Sequence, residues 1–573
     1  MNTNRAASFN TNKTMQYTTN AFLQFSKRFK EHNVTALAGM EFYDYKNYAT
    51  SGFAQGAPTD LIPWLTAATP PNVQGTTIVN PAGASSNFDQ WERIASSIAR
   101  LNYSYMNRYL LTAVVRVDGS SRLKKGNYYG TFPGVSLGWN LHEEAFYKNT
   151  TLAKYVNRIK PRLSYGVNGN VSSLGLFATS QVYNNAGTYN GFGGTYVANY
   201  INSDVRWERA NSLNFGLDAG FFNEKITLNV DYFVRNVFDK LAGLNISSQT
   251  GFNSFTTNLG QLQNRGIELA VNAKIIEPKT ADGFALSVGA NYYHVKSYAK
   301  KLPFNGLDGN RTSGFFVWDP NNPGKQIYVG GLVEGQRIGL DEVWAPKWNG
   351  IYTDPSTIAR DANVYNAFLP YNNKRIKQLG DAQWHQVNPN DTIDSRQFTY
   401  VGRTTPQHMG GFNIASSFKG IRLYAQFDYA FGFVILNNQI VRGLSQVQGS
   451  QNSTTDVLKT WTPDNPTATM PRYYWANQGR NYATDASGNN PAANLWEKGD
   501  YVMLRELTLA YDLPTSVISK YLANRVKGLS VNVTGSNLFY LSGYSGNFPE
   551  VGGVDQGKFP LPRRLTIGVR VTL

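Results

Sequence analysis

The sequence predicts an all-β protein, and within that class a transmembrane antiparallel β-barrel with long extracellular loops. Three observations lead there. Apolar and polar residues alternate with a period of two over repeated runs of about ten residues, the length a tilted strand needs to cross a bilayer. The connections between these runs alternate between short turns and long, polar, Gly/Asn/aromatic-rich loops. The composition is also unusual: of 573 residues only 16% are charged, against ~25% for an ordinary soluble domain, while Gly (53), Tyr (35), Phe (32) and Trp (11) are abundant.

The same numbers exclude other classes. Few charges and many aromatics reverse the signature of disorder. With no cysteine there is no disulfide scaffold, thiol nucleophile or cysteine metal site. Uninterrupted apolar runs such as Phe433 to Leu436 reach only four residues, far below the ~18 a membrane helix needs. Met1 to Phe9 is polar, so an export signal is expected to lie outside this sequence. The net charge of +16 invites a nucleic-acid reading. Its densest knots, Lys27-Arg28-Phe29-Lys30 and Arg122-Leu123-Lys124-Lys125, are far apart and sit in turns or loops, so no nucleic-acid partner is expected. Attraction to outer-membrane lipid needs no such clustering.

Strands are expected near 15–27, 33–45, 92–106, 108–118, 131–140, 158–168, 211–222, 225–235, 262–275, 284–295, 410–418, 420–432, 500–512, 528–540 and 563–573. Met106-Asn107-Arg108, Asn223-Glu224-Lys225 and Lys419-Gly420 read as short turns. Long loops are expected near 46–91, 169–210, 236–261, 296–409 and 433–499, the fourth without structure of its own. Two short-side connections, 141–157 and 513–527, read as small helices, the second opening on Pro514 in its first turn. Sorting long loops to one side and short turns to the other is how an outer-membrane barrel is built.

Alternation also assigns faces. Leu565, Ile567, Val569, Val571 and Leu573 oppose Arg564, Thr566, Gly568, Arg570 and Thr572. Ile421 to Phe431 and Ile226 to Val234 repeat the pattern, which places Asp231, Arg422, Asp428 and Arg570 toward the lumen. Fifteen strands is an odd number, and direct closure would pair two parallel strands, which single-chain bacterial barrels avoid. An odd number of further strands is therefore expected upstream.

Several phrases resemble the SusC/RagA family of TonB-dependent outer-membrane transporters. They are Asp118-Gly119-Ser120-Ser121-Arg122, Phe132-Pro133-Gly134-Val135-Ser136-Leu137-Gly138-Trp139 and Arg162-Leu163-Ser164-Tyr165-Gly166-Val167-Asn168-Gly169-Asn170. Trp207-Glu208, Asn264-Arg265-Gly266-Ile267-Glu268, Leu504-Arg505-Glu506-Leu507-Thr508-Leu509-Ala510-Tyr511-Asp512-Leu513-Pro514 and Gly535-Ser536-Asn537-Leu538-Phe539 follow in the family's order, from about residue 90 to the end. The resemblance implies a plugged barrel of about 22 strands. This chain would be its C-terminal part, with the plug, the TonB box and about seven strands elsewhere. It further implies a Gram-negative, Bacteroidota-like outer membrane, TonB and a SusD-like lipoprotein as partners, and an oligosaccharide or peptide as cargo. Two departures stand out. Gly380-Asp381 is followed by Gln386, Asn388, Asn390, Asp391 and Asp394, with amides where the family's loop carries carboxylates. The last residue is Leu573 where many barrels end in an aromatic.

Candidate site residues are few. Trp318, Trp344, Trp348, Trp384, Trp461, Trp475 and Trp496 fall in the two longest loops, where flat rings either pack the loops or stack against a ligand. Asn388, Asn390, Asp391 and Asp394 form a weak Ca²⁺ candidate, since a hard cation prefers more carboxylates; the competing reading is an Asx-rich turn. No cofactor is expected. Gly134-Val135-Ser136-Leu137-Gly138 fits G-x-S-x-G but lies inside a strand, where no nucleophile elbow forms. The five His show no ligand spacing. The expected function is thus transport, not catalysis. The alternatives are a non-transporting SusC-like scaffold barrel in a larger outer-membrane complex and a soluble all-β carbohydrate-binding protein.

Overall fold

The computed structural model describes residues 6–55, 73–74, 77–78, 83–189, 192–280, 282–361, 378–391, 394–445, 454–473, 491–522 and 526–573. Fifteen strands form one sheet whose order is the order of the chain. They are β1 (Ala6–Phe29), β2 (His32–Gln55), β3 (Gly83–Tyr105), β4 (Tyr109–Ser120) and β5 (Tyr129–Trp139). Next come β6 (Val156–Asn170), β7 (Glu208–Phe221), β8 (Ile226–Asn245), β9 (Ser254–Ile276) and β10 (Ala285–Lys301). The last are β11 (His408–Phe418), β12 (Ile421–Phe431), β13 (Tyr501–Asp512), β14 (Gly528–Ser542) and β15 (Arg564–Thr572). Each expected strand is present, most of them longer than the alternation alone marks. β1 and β2 gain most, pairing from Ala6↔Gln55 to Phe29↔His32. Polar stretches such as Asn10 to Thr14 break the period-two signal although their backbone still pairs.

The short turns work as expected. Met106 and Asn107 both have positive φ, as do Lys419 and Gly420 between the paired Phe418 and Ile421. Two consecutive left-handed residues match the twist of a tight hairpin. The connection 141–157 contains the helix Ala145–Lys148 between two single helical turns, and Thr515–Leu522 is helical after Pro514.

The chain divides into two compact units. The first comprises 1–140, 162–213 and 235–261; the second comprises 141–161, 214–234 and 262–573. Within the first, Leu123, Phe132, Val171, Leu174, Val205, Trp207 and Leu241 pack into a core at the loop-side strand ends. Within the second, the described residues of the 296–409 loop are not structureless, contrary to the sequence expectation. Phe315–Asp319 pairs with Asn322–Val329, Glu342–Ala345 with Thr399–Arg403, and Trp348–Ile351 with Ala382–Trp384. Short, irregular strands of mixed polarity carry too few periods for alternation to be read. The run Phe433 to Leu436 overlaps a strand, Val434–Asn437, that pairs antiparallel with Trp496–Lys498 and in parallel with Val554–Asp555.

The two sheet faces differ in chemistry. In the second unit Leu565, Ile567, Val569 and Val571 are exposed on one face. On the other, Arg570 lines a concavity with Arg422, Tyr424, Thr508, Ser530 and Asn532. Asp428 lies farther along that polar face with Asn272, Asn291, Asn413 and Gln426. Asp231 shares a face with Phe233, whose ring stacks on Tyr293. In the order of strands, β1 and β15 each have one hydrogen-bonded neighbour among the described residues.

Candidate functional site

The second unit's loops fold around a core of their own. Tyr352, Ile358, Ala382 and Trp384 from the connection after β10 meet Leu436, Val441, Ala492 and Leu495 from the connection after β12. Burial of this apolar surface holds together two connections that are distant in sequence. Trp384 is 3% exposed in that core, and Trp348 and Trp496 pack against it. Trp344 packs on a neighbouring core of Val317, Val329 and Phe398, and its ring meets Tyr400 edge-on at 5.4 Å. Trp461 lies against Gly380, which has φ +83° and where any Cβ would overlap the indole. Trp475 lies outside the described residues. Of the six described tryptophans, Trp348, Trp384 and Trp496 share one core and Trp344 belongs to another.

Trp318 leads to the acidic loop. Its Nε1 donates to Asp391 Oδ2 at 2.9 Å. Arg396 then takes both carboxylates, with Nη1 3.0 Å from Asp391 Oδ2 and Nη2 2.6 Å from Asp394 Oδ2. Asn388 Oδ1 accepts from the Asn390 N–H at 3.0 Å, an Asx turn. Gln397, 2% exposed, receives the Val387 and Asn388 N–H groups on Oε1 and donates back to the Asn388 carbonyl. The positive charge facing these carboxylates is a guanidinium, and the loop's geometry is that of a self-capped turn. Close by, burial first and the Lys347 ammonium second hold the His385 imidazole below its ordinary range.

A charged network joins the loops to the wall. Arg505 sits where the β13–β14 register slips between Leu504 and Glu506. The bulge turns its side chain among Asp428 on β12, at 2.6 Å, Glu550 in the connection after β14, at 2.6 Å, and Asn537 at 3.5 Å. Asn537 itself has φ +56°, a conformation asparagine tolerates better than most residues. Nearby Tyr544 donates to the fully buried Asp555 at 2.8 Å, and burial together with that carboxylate pushes its phenol well above the ordinary range. Replacing Arg505 by Ala leaves two partly buried carboxylates unpaired. The expected cost is about 2 kcal/mol, reduced from the fully buried case by solvent access. Denaturant titration of the folded protein in detergent reads it, and Arg505→Lys should recover less than half, since an ammonium cannot fork between two carboxylates.

In the first unit the sequence phrases converge in the same manner. Arg122 pairs with Glu92 at 2.6 Å and donates to the Leu174 carbonyl. Glu208, 3% exposed, accepts from Asn170 at 2.9 Å and from the Leu241 N–H at 2.8 Å. Trp207 meets Phe132 edge-on at 5.3 Å, and its Nε1 donates to the Tyr128 carbonyl. Side chains at Gly130 and Gly169 would overlap the Phe132 ring, so both must be glycine for the ring to lie flat. These residues brace loop bases. Sequence reasoning marked Arg122, Glu208, Arg505 and Asn537 only as pieces of phrases. It missed Glu550 and Arg396, whose carboxylate and guanidinium partners are set by tertiary folding and leave no periodic signal.

Comparison with known proteins supplies the kinship. No family model matches the chain. The TonB-dependent receptor P3 of Formosa agariphila is 26% identical over 569 residues, covering 96% of this chain and 51% of the relative. The TonB-dependent receptor SusC of Bacteroides thetaiotaomicron is 28% identical over 487 residues, covering 83% and 43%. Among solved structures, the RagAB peptide importer in its open-open state superposes with a TM-score of 0.75 at 22% identity, covering 99% of this chain and 55% of that one. The chain spans about half the length of the curated relatives it matches. By fold it is an outer-membrane β-barrel chain, and in sequence it is similar to TonB-dependent receptors of the SusC type.

Proposed function

We propose that the chain is the C-terminal part of a longer importer that takes up an oligomeric nutrient, a glycan or a peptide, through the outer membrane. A plug, a TonB-contacting segment and the first strands would lie outside these residues, and a SusD-like lipoprotein would cover the loops. The observation that carries the reading is similarity along 96% of the chain to receptors of this type. Two features support it. β1 and β15 have one paired neighbour each among the described residues, and in hydrocarbon unpaired backbone costs several kcal/mol per group. The loops after β10 and β12 share one core, and ordering connections of that size is worthwhile where they meet a partner or ligand.

The test shortens 302–407 to a tight turn in the complete protein. The strands should still assemble, giving a heat-modifiable band. The 433–499 loop, stripped of half its core, should become protease-sensitive, and lipoprotein capture and growth on the limiting nutrient should both fail. Growth of the wild type should in turn require TonB. Uptake that persists without TonB would refute the importer reading and favour a scaffold role.

A further inference from the structure

Toward the loop side β9 and β10 leave the apolar band together, at Arg265 midway along β9 and in the second half of β10. The apolar face of β9 reads Ile275, Ala273, Val271, Leu269 and Ile267, then Arg265; that of β10 reads Leu286, Val288 and Ala290, then Tyr292, His294, Lys296 and Tyr298. The opposite side chains fix this assignment. A Cβ on Gly266 would meet the Phe233 ring, Tyr293 stacks on that same ring, and the Ser297 hydroxyl bonds Asn264 at 2.6 Å. Residues between them therefore point the other way, toward lipid.

The corner is built from cations and rings. Arg265 lies 5.1 Å from the centroid of Tyr298, and its Nε donates to the neutral Gln263 amide at 2.6 Å. His294 and His408 stack at 5.0 Å. His294 Nδ1 donates to the Gln407 carbonyl at 2.6 Å, and His408 Nδ1 lies 2.7 Å from the Tyr292 hydroxyl. Each Nδ1 is thereby occupied, which leaves Nε2 to face other partners. Lys296 follows His294 on the same face, about 7 Å along the strand. Arg265, Lys296 and His408 are exposed. Among the described residues, neither Arg265 nor Lys296 has a carboxylate within ion-pair distance.

Uncompensated cations at the edge of the hydrocarbon call for an anion at that depth, and aromatic rings mark it as the headgroup level. We propose that this corner binds the phosphate of a lipid headgroup in the outer leaflet. The Arg265 guanidinium forks onto two phosphate oxygens and the Lys296 ammonium takes a third, while Tyr292 and Tyr298 border the headgroup. The chemistry requires a phosphate held at the apolar boundary, which a membrane amphiphile supplies and free phosphate does not.

The intact outer-membrane protein, purified in a non-ionic detergent, is titrated with dioctanoyl phosphatidic acid under native mass spectrometry. One saturable site is expected, and Arg265→Ala/Lys296→Ala should weaken it by about tenfold or more, the loss of two charge-assisted contacts. Arg265→Lys, which keeps the charge and the fold, should weaken it by about threefold or more because the fork is lost. Lys300→Ala/Lys301→Ala should bind as the wild type does, and dioctanoylglycerol should show no saturable site. Equal phosphatidic acid affinity in wild type and both Arg265 variants would overturn the proposal. So would saturable dioctanoylglycerol binding, or inorganic phosphate binding as tightly as the lipid.

Discussion

Trp384→Ala is expected to open the loop core of the second unit while leaving the strands paired. The indole is 3% exposed among Tyr352, Ile358, Leu436, Val441 and Leu495. Truncating such a ring costs about 3–5 kcal/mol in lost burial and residual cavity. The loss falls on a local opening reaction, so protease cleavage within 302–407 and 433–499 should rise on the order of 10²–10³-fold. Because residues from both connections line the cavity, both should become sensitive together. Trp318→Phe is the contrast: it keeps a ring but gives up the bond to Asp391, for about 1 kcal/mol. Cleavage confined to one loop in Trp384→Ala would show that the connections fold independently.

Val569→Arg should impair assembly, whereas Arg570→Val should be mild. Val569 is 63% exposed on the apolar face of β15, and Arg570 lines the polar concavity on the other. The register Val531↔Val569 and Ser530↔Arg570 carries that division onto β14. An arginine near mid-membrane costs about 2–4 kcal/mol, and the penalty shrinks toward the interfaces. Folding yield into lipid vesicles and urea midpoints in the folded state measure both variants. Equal penalties would mean that the register of β15 is shifted by one residue.

What was legible in the sequence was the wall. In β12, Ile421, Leu423, Ala425, Phe427, Tyr429 and Phe431 repeat on every second position because one side faces lipid and the other does not. The turn Lys419-Gly420 was legible because left-handed geometry restricts which residues stand there. The loops were not. Glu342–Ala345 pairs with Thr399–Arg403 across more than fifty intervening residues, and nothing in either segment names the other. The acidic loop shows the same limit. Asn388, Asn390, Asp391 and Asp394 suggested a cation from their oxygens alone, and Arg396 meets the two carboxylates, as only the folded loop reveals. For the tryptophans, the sequence located the loops that hold them and gave no sign of which rings lie inside.

The order of strands bears on how the chain reaches its fold. Every hydrogen-bonded neighbour in the fifteen-strand sheet is also the next strand of that sheet in sequence, so the wall can form by pairing each strand with the one before it, with none inserted between two others. Topologies of local pairing fold faster than those that await distant partners. The connection between β10 and β11 is the severest test, since Lys301 and His408 bracket over a hundred residues. Yet closure entropy grows only with the logarithm of length, and a tenfold longer loop costs about 2 kcal/mol more. That is a small barrier beside the pairing of Ala285–Tyr293 with Met409–Ser417. The inserted segment can then consolidate its own core after the hairpin beneath it has closed. Loops of very different size and sequence could therefore be exchanged on this wall at little kinetic cost.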